Sequence, residues 1–212
     1  MKTAMIWGAG GGIGRELVTQ LVADDWTVLA VARQLDAIAS LTPLAFEADL
    51  SVPYEVGLAV TAAGQEVDAV DLWAYTAGDI VAAKVGELPP DRWQQIIDAN
   101  LTGPFLATYY SLPLLSSDAH MFFLGAVSER VRLPGLSAYA AAKAGLEAFA
   151  AALAKEERGR RVTVVRPGAV DTAFWARVPN FKLPKRTLAP AQVATAILDA
   201  YRDGTTGNLD LS

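Results

Sequence analysis

The amino-acid sequence predicts an α/β fold: a doubly wound parallel sheet of about seven strands flanked by helices, in three layers α/β/α. Three observations predict it. Short runs rich in Val, Leu, Ile and Ala recur along the chain without the polar alternation of a half-exposed strand. Between them lie longer stretches whose apolar residues return every third or fourth position, the spacing of a helix with one buried face. A glycine-rich stretch, WGAGGGIG at 7–14, joins the first apolar run to the first helical one.

Each element follows in order. Thr3–Trp7 is an apolar strand, and Gly12–Ala23 a helix with Ile13, Leu17, Leu21 and Val22 on one face. Residues 27–31 form a buried second strand and 44–47 a weaker third. Residues 53–64 read as a helix with Pro53 near its first turn, where a missing N–H costs nothing. Residues 70–74 are a fourth strand. Residues 90–115 read as one long helix, bent at Gly103-Pro104. Residues 121–124 are a fifth strand, opened by His120, which reads as a surface or boundary residue. An Ala-rich helix covers 137–157; the charges at 155–161 read as its solvated end. Residues 161–166 make a sixth strand stopped by Pro167-Gly168, 190–202 a last helix, and 208–211 a final edge strand. Alternation of this kind implies βαβ units with right-handed crossovers. Residues 174–189, with Arg177, Lys182, Lys185 and Arg186, read as a loop; too little chain follows for a second unit, so one domain over 1–212 is expected.

Composition narrows the function. Of 212 residues 52% are hydrophobic and 19% charged, enough apolar surface to build a full core. The net charge of −5, with no basic stripe, argues against nucleic acid or an anionic membrane as partner. With no cysteine and one histidine, a thiolate nucleophile is excluded and a bound metal is not expected. The first residues run straight into a strand without a signal-peptide pattern, and no apolar run reaches the ~18 residues of a membrane span, so a soluble cytoplasmic protein is expected.

The chemistry-bearing motifs begin with the glycines. The G-x-G-x-x-G pattern of Rossmann-type dinucleotide sites does not fit, but G-x-x-x-G-x-G does, on Gly8, Gly12 and Gly14. Strand before and helix after give it meaning: small residues let the backbone approach a pyrophosphate, and the helix N-terminus offers free N–H groups. At the end of the second strand, where NAD sites place a carboxylate for the ribose 2′-hydroxyl, stand Ala32 and then Arg33. A guanidinium there pairs with a 2′-phosphate, favouring NADP(H), with NAD(H) still possible. Asp49 suits either the adenine amino group or a helix cap. In SAYAAAK, Tyr139 and Lys143 stand four apart on a helix, hence on one face. An ammonium beside a phenol lowers the phenol's pKa and fits it to move a proton at a carbonyl oxygen.

The glycine turn, Asp49, Asn100 in DANLTGPF, YAAAK and RPGAVDT at 166–172 occur in an order that resembles the short-chain dehydrogenase/reductase family, over nearly the whole chain. The resemblance implies that Gly8, Gly12, Ile13 and Gly14 hold the pyrophosphate, that Asp49 and Leu50 flank the adenine, and that Ala77 and Gly78 line the cofactor site. It further implies Tyr139 as acid/base with Lys143 as partner, both also touching the cofactor where Lys143 can hold the nicotinamide ribose hydroxyls, Asn100 organising a water-linked relay, and Pro167, Gly168, Val170 and Thr172 at the nicotinamide end. It implies a small carbonyl or alcohol as substrate and a homodimer or homotetramer.

Four departures stand out. Trp7 replaces the usual Thr before the first glycine, and Tyr75-Thr76 replace the Asn pair of N-N-A-G. The lid segment at 174–189 is short. Ala126 occupies the place of the catalytic Ser, thirteen residues before Tyr139; Ser128 is the preferred substitute and Ser137 the other. Losing such a donor costs ~10²–10³ in rate at oxyanion holes. An oxidoreductase is the first expectation, and a catalytically weak NADP(H)-binding sensor or partner subunit the alternative.

Overall fold

The structure, a computed structural model, describes residues 1–127, 131–178 and 186–211. Its centre is a seven-stranded sheet in the order β3-β2-β1-β4-β5-β6-β7, with every pair parallel: β1 Thr3–Trp7, β2 Thr27–Ala32, β3 Ala45–Glu47, β4 Val70–Tyr75, β5 Leu115–Leu124, β6 Arg161–Pro167 and β7 Gly207–Leu211. The predicted fold class is the observed one.

Strand side chains alternate between two buried layers. Ala4, Ile6, Val28, Ala30, Leu72 and Ala74 pack on α1 (Gly12–Ala23) and α6 (Pro190–Asp203). Met5, Trp7, Leu29, Val31, Trp73 and Tyr75 face the other way, onto α2 (Pro53–Glu66), α4 (Gly103–Ser111) and α5 (Ser137–Glu156). Burial on both faces explains why these strands read as unbroken apolar runs. Chain order reverses beside β1, which has β2 on one side and β4 on the other. The loops leaving the two strands diverge there, opening a crevice at their C-terminal ends.

The long helix expected over 90–115 is not continuous. It divides into α3 (Pro90–Ile97), a wide π-type turn over Asp98–Thr102, and α4, and it ends in a single 3-10 turn at Leu112–Leu114. Pro104, without an N–H, cannot continue the α ladder, and Pro113 closes the helix. Strand β5 therefore starts at Leu115, six residues before the apolar run that predicted it. Its register against β4 slips between Val70↔Leu115 and Leu72↔His120, so the polar Ser116–Asp118 stretch bulges out and masks the strand in the sequence.

Two expectations about single residues fail. His120 is fully buried, stacked on Phe122 with ring centroids 4.0 Å apart and its Nε2 2.8 Å from Thr163 Oγ1. Burial is the main reason its pKa falls to about 4. Arg160 is not a solvated helix end: its guanidinium donates to the carbonyls of Leu112, Leu115 and Ser116, tying the start of β5 to the loop before β6. No helix among the described residues is long and apolar enough to cross a membrane.

Candidate active site

A cleft of about 1900 Å³ runs along the C-terminal ends of the strands. One end is built almost entirely from backbone and small residues. At the end of β1 the chain turns through Gly8, whose φ of +80° is open only to glycine at little cost. The Gly8 and Ala9 N–H groups donate to the Val31 carbonyl, which fixes the turn to the end of β2. A side chain at Gly8 would enter the Ala77 backbone, and one at Gly12 would meet the Thr172 methyl at 2.7 Å. The second glycine thus lets the RPGAVDT segment close against the turn. Gly14 does not face the cleft: it packs beneath the turn against Gly8 and Thr76, so its role here is helix-to-strand packing.

Helix α1 starts at Gly12 behind Gly11, which has no side chain to cap the first-turn N–H groups. Gly8, Gly12 and Ile13 line the cleft at this point. An uncapped helix N-terminus opening on a glycine-walled cradle suits a phosphate group, so the residues present fit a nicotinamide dinucleotide.

Arg33 lies exposed at the lip, past the end of β2. Asp49 does not cap α2, whose N-cap is Val52. Its Oδ1 accepts from the backbone N–H and hydroxyl of Ser51. Those two bonds hold its carboxyl below the usual range, with Arg33 adding a smaller push the same way. The Asp49 N–H donates to Glu55 Oε2 at 2.8 Å, and Leu50, Glu47 and Glu55 complete this end. Glu55 carried no sequence signal as a site residue.

The other end is built from side chains. Tyr139 and Lys143, one turn apart on α5, both line the cleft and are both buried. Lys143 Nζ donates to the Leu124 carbonyl at 2.7 Å and lies 5.6 Å from the Tyr139 ring centre. Burial draws the Lys143 ammonium down to about 7 and pushes the Tyr139 phenol up. This reverses the expected lowering of the tyrosine: desolvation of the phenolate outweighs a lysine whose own charge the same burial weakens.

Asn100 is fully buried in the π-type turn. Its Nδ2 donates to the carbonyls of Asp79 and Ile96, while Oδ1 is buried without a partner. That oxygen lies 2.9 Å from where a Gly78 side chain would begin, and Lys143 Nζ stands 3.9 Å from the same point. Ala77, Gly78, Pro167, Gly168, Val170 and Thr172 line the cleft between the two ends.

Ala126 also lines the cleft, where it offers no donor. Ser128 lies outside the described residues. Ser137 Oγ is buried with no partner, and Ser137 is not among the lining residues. The short 3-10 turn Ala173–Arg177 covers this end: Phe174 meets the Tyr139 ring at 5.9 Å, and Trp175 Nε1 donates to the Val170 carbonyl. Arg177 pairs with the largely buried Asp79 across the cleft. The sequence marks Thr76 only as a departure; its Oγ1 donates to the Trp7 carbonyl at 2.8 Å, a contact that, like the Arg177–Asp79 pair, the sequence does not announce. Both join segments far apart in the chain, a pairing that no local pattern announces.

Comparison with known proteins agrees with this architecture. An uncharacterized oxidoreductase of Staphylococcus aureus (strain MRSA252) is 28% identical over 210 residues, covering 94% of this chain and 90% of its own. In fold, the chain is similar to a short-chain dehydrogenase from Streptomyces avermitilis (TM-score 0.89, 23% identity, 100% of this chain and 88% of that one). It is likewise similar to the ligand-free aldohexose dehydrogenase of Thermoplasma acidophilum (TM-score 0.87, 21% identity, 99% and 91%). The family described as short chain dehydrogenase matches residues 2–182. The chain therefore belongs to the short chain dehydrogenase family, whose members are oxidoreductases that generally use NAD(H) or NADP(H).

Proposed function

We propose that this protein is an NADP(H)-dependent oxidoreductase acting on a small carbonyl compound or the corresponding alcohol. The observation that carries the reading is the meeting, in one cleft, of the glycine cradle at the uncapped start of α1 with Tyr139, Lys143 and Asn100. Gly8, Gly12 and Ile13 would hold the pyrophosphate, Asp49 and Leu50 the adenine end, Arg33 the 2′-phosphate, and Pro167, Gly168, Val170 and Thr172 the nicotinamide end. The bound nicotinamide supplies or accepts the hydride.

Everything else falls to the chain. Tyr139 gives its phenolic proton to the carbonyl oxygen in reduction and takes it back in oxidation. Burial keeps that phenol protonated, which suits it to donate. Lys143 and Asn100 sit behind it and return a proton through the buried polar corner at Gly78. Phe174 and Trp175 cover the reacting end and limit water. The working unit is a homodimer or homotetramer, as is usual in the family; the exposed Phe105 and Tyr109 on α4 favour such pairing. A location in the cytoplasm accords with the composition.

The test is carbonyl-dependent oxidation of NADPH, followed at its absorbance, with Tyr139→Phe as control. The variant is expected to lose turnover by ~10²–10⁴ while binding NADPH as before. Equal turnover in both proteins would contradict the reading.

A second reading, a cofactor-binding sensor or partner subunit of low activity, is favoured by Ala126 in the cleft wall. Ala126→Ser separates the two. A gain of about tenfold or more on any carbonyl that the wild type turns over means that an otherwise complete site lacks one donor. No gain means that another group does that work.

A further inference from the structure

We infer that Tyr75 is a positioning residue for Asn100: its buried hydroxyl holds open the π-type turn that aims the asparagine at the Lys143 corner. The inference deepens the proposed function and rests on it for the part Asn100 plays in catalysis.

The geometry begins with a carbonyl left without its helical donor. Within the π-type turn the Gly103 N–H donates to the Asp98 carbonyl, five residues back. In that register the next carbonyl, Ala99, should receive the N–H of residue 104, which is proline. A backbone carbonyl in such a place needs another partner. The Tyr75 hydroxyl supplies it, donating to Ala99 O at 2.9 Å from the end of β4. Gly103 leaves the room, since a side chain there would collide with the Tyr75 oxygen. Phenol, glycine and proline thus form one device.

Its effect reaches Asn100, the residue directly after the Ala99 carbonyl. The turn carries the Asn100 side chain to the Asp79 and Ile96 carbonyls and leaves Oδ1 buried and unpartnered beside Gly78. Without the Tyr75 bond, the Ala99 carbonyl regains a donor only if the ladder slips back toward α register. A slip turns each side chain in the segment about the helix axis and moves Asn100 off Asp79.

Tyr75→Phe removes the hydroxyl and keeps the buried ring. The expected result is a fall in kcat for carbonyl reduction of about tenfold, with KM and the NADPH dissociation constant within about twofold, because binding surfaces are untouched. In the same variant the side-chain amide resonances of Asn100 should shift in nuclear magnetic resonance spectra. A residue that only fills the core would lower the melting temperature and leave kcat and those resonances where they were; that outcome overturns the inference. If the wild type binds nucleotide but reduces no carbonyl, the proposed function fails by itself. The Asn100 resonances still decide the positioning role, supporting it if Tyr75→Phe moves them and refuting it if they stay.

Discussion

The two ends of the cleft are specified in different ways. The glycine end is defined by what is missing: glycines at positions 8, 12 and 14, where any side chain would strike Ala77, Thr172 or Gly8, and a helix start with no capping group. The other end is defined by what is present and buried: a phenol against the Phe174 ring, a lysine and an amide bonded to carbonyls of other segments, and an ion pair. Glycine spacing survives as a local pattern, because the constraint is steric and the turn is short. Side-chain networks leave a local pattern only where two members share a helix turn, as Tyr139 and Lys143 do; partners drawn from distant segments, such as Asp79 and Arg177, leave none. The glycine spacing is thus kept, while Trp7, Tyr75, Thr76 and Ala126 around the cleft depart from the family's pattern.

The largest effect that would sharpen this contrast comes from Lys143. Its ammonium is pulled from an ordinary value of 10.5 to about 7 by burial. The unfolded chain therefore binds the extra proton between pH 7 and 10.5 and the folded chain does not. Stability attributable to this group is full above 10.5 and is lost as pH falls toward 7. Lys143→Met is expected to abolish this rise of stability with pH in denaturant titrations at pH 7 and 9. It should also lower turnover by about a hundredfold or more, with little change in NADPH affinity. A variant whose stability keeps the wild-type pH slope would show that Lys143 is not the buried, desolvated group described. Loss of nucleotide binding would erase the division between the two ends.

A smaller effect tests the glycine end. Arg33→Ala should weaken NADPH by about tenfold, the worth of one charge-assisted contact in a wet site, and leave NADH within about twofold. Calorimetry with both nucleotides gives the ratio. Equal losses for both would mean that Arg33 acts on the turn and not on a 2′-phosphate.

How far the sequence could be read follows the same division. Parallel strands buried on both faces announce themselves as apolar runs, so the sheet was legible from Thr3 to Leu211 except where β5 bulges through Ser116, Ser117 and Asp118. The break between α3 and α4 was half legible. Gly103-Pro104 marked the place, but the wide turn depends on a hydroxyl from Tyr75, 24 residues upstream of the carbonyl it meets. Tyr139 and Lys143 were placed on one face by spacing alone. Their pKa directions were not legible, since burial of the phenol depends on Phe174 and its neighbours and not on the helix itself. The sequence suits Asp49 to two roles; the structure excludes the helix cap and gives its Oδ1 to Ser51. His120 read as a boundary residue because the polar stretch before it hid the true start of the strand.

The measurement that tests the central claim most directly is titration of the purified protein with NADPH and with NADH, following energy transfer from tryptophan to the bound nicotinamide. Saturable binding of both is expected, with NADPH about tenfold tighter or more. Binding of neither nucleotide would contradict that claim, because the glycine cradle and the open start of α1 would then have no ligand to explain them.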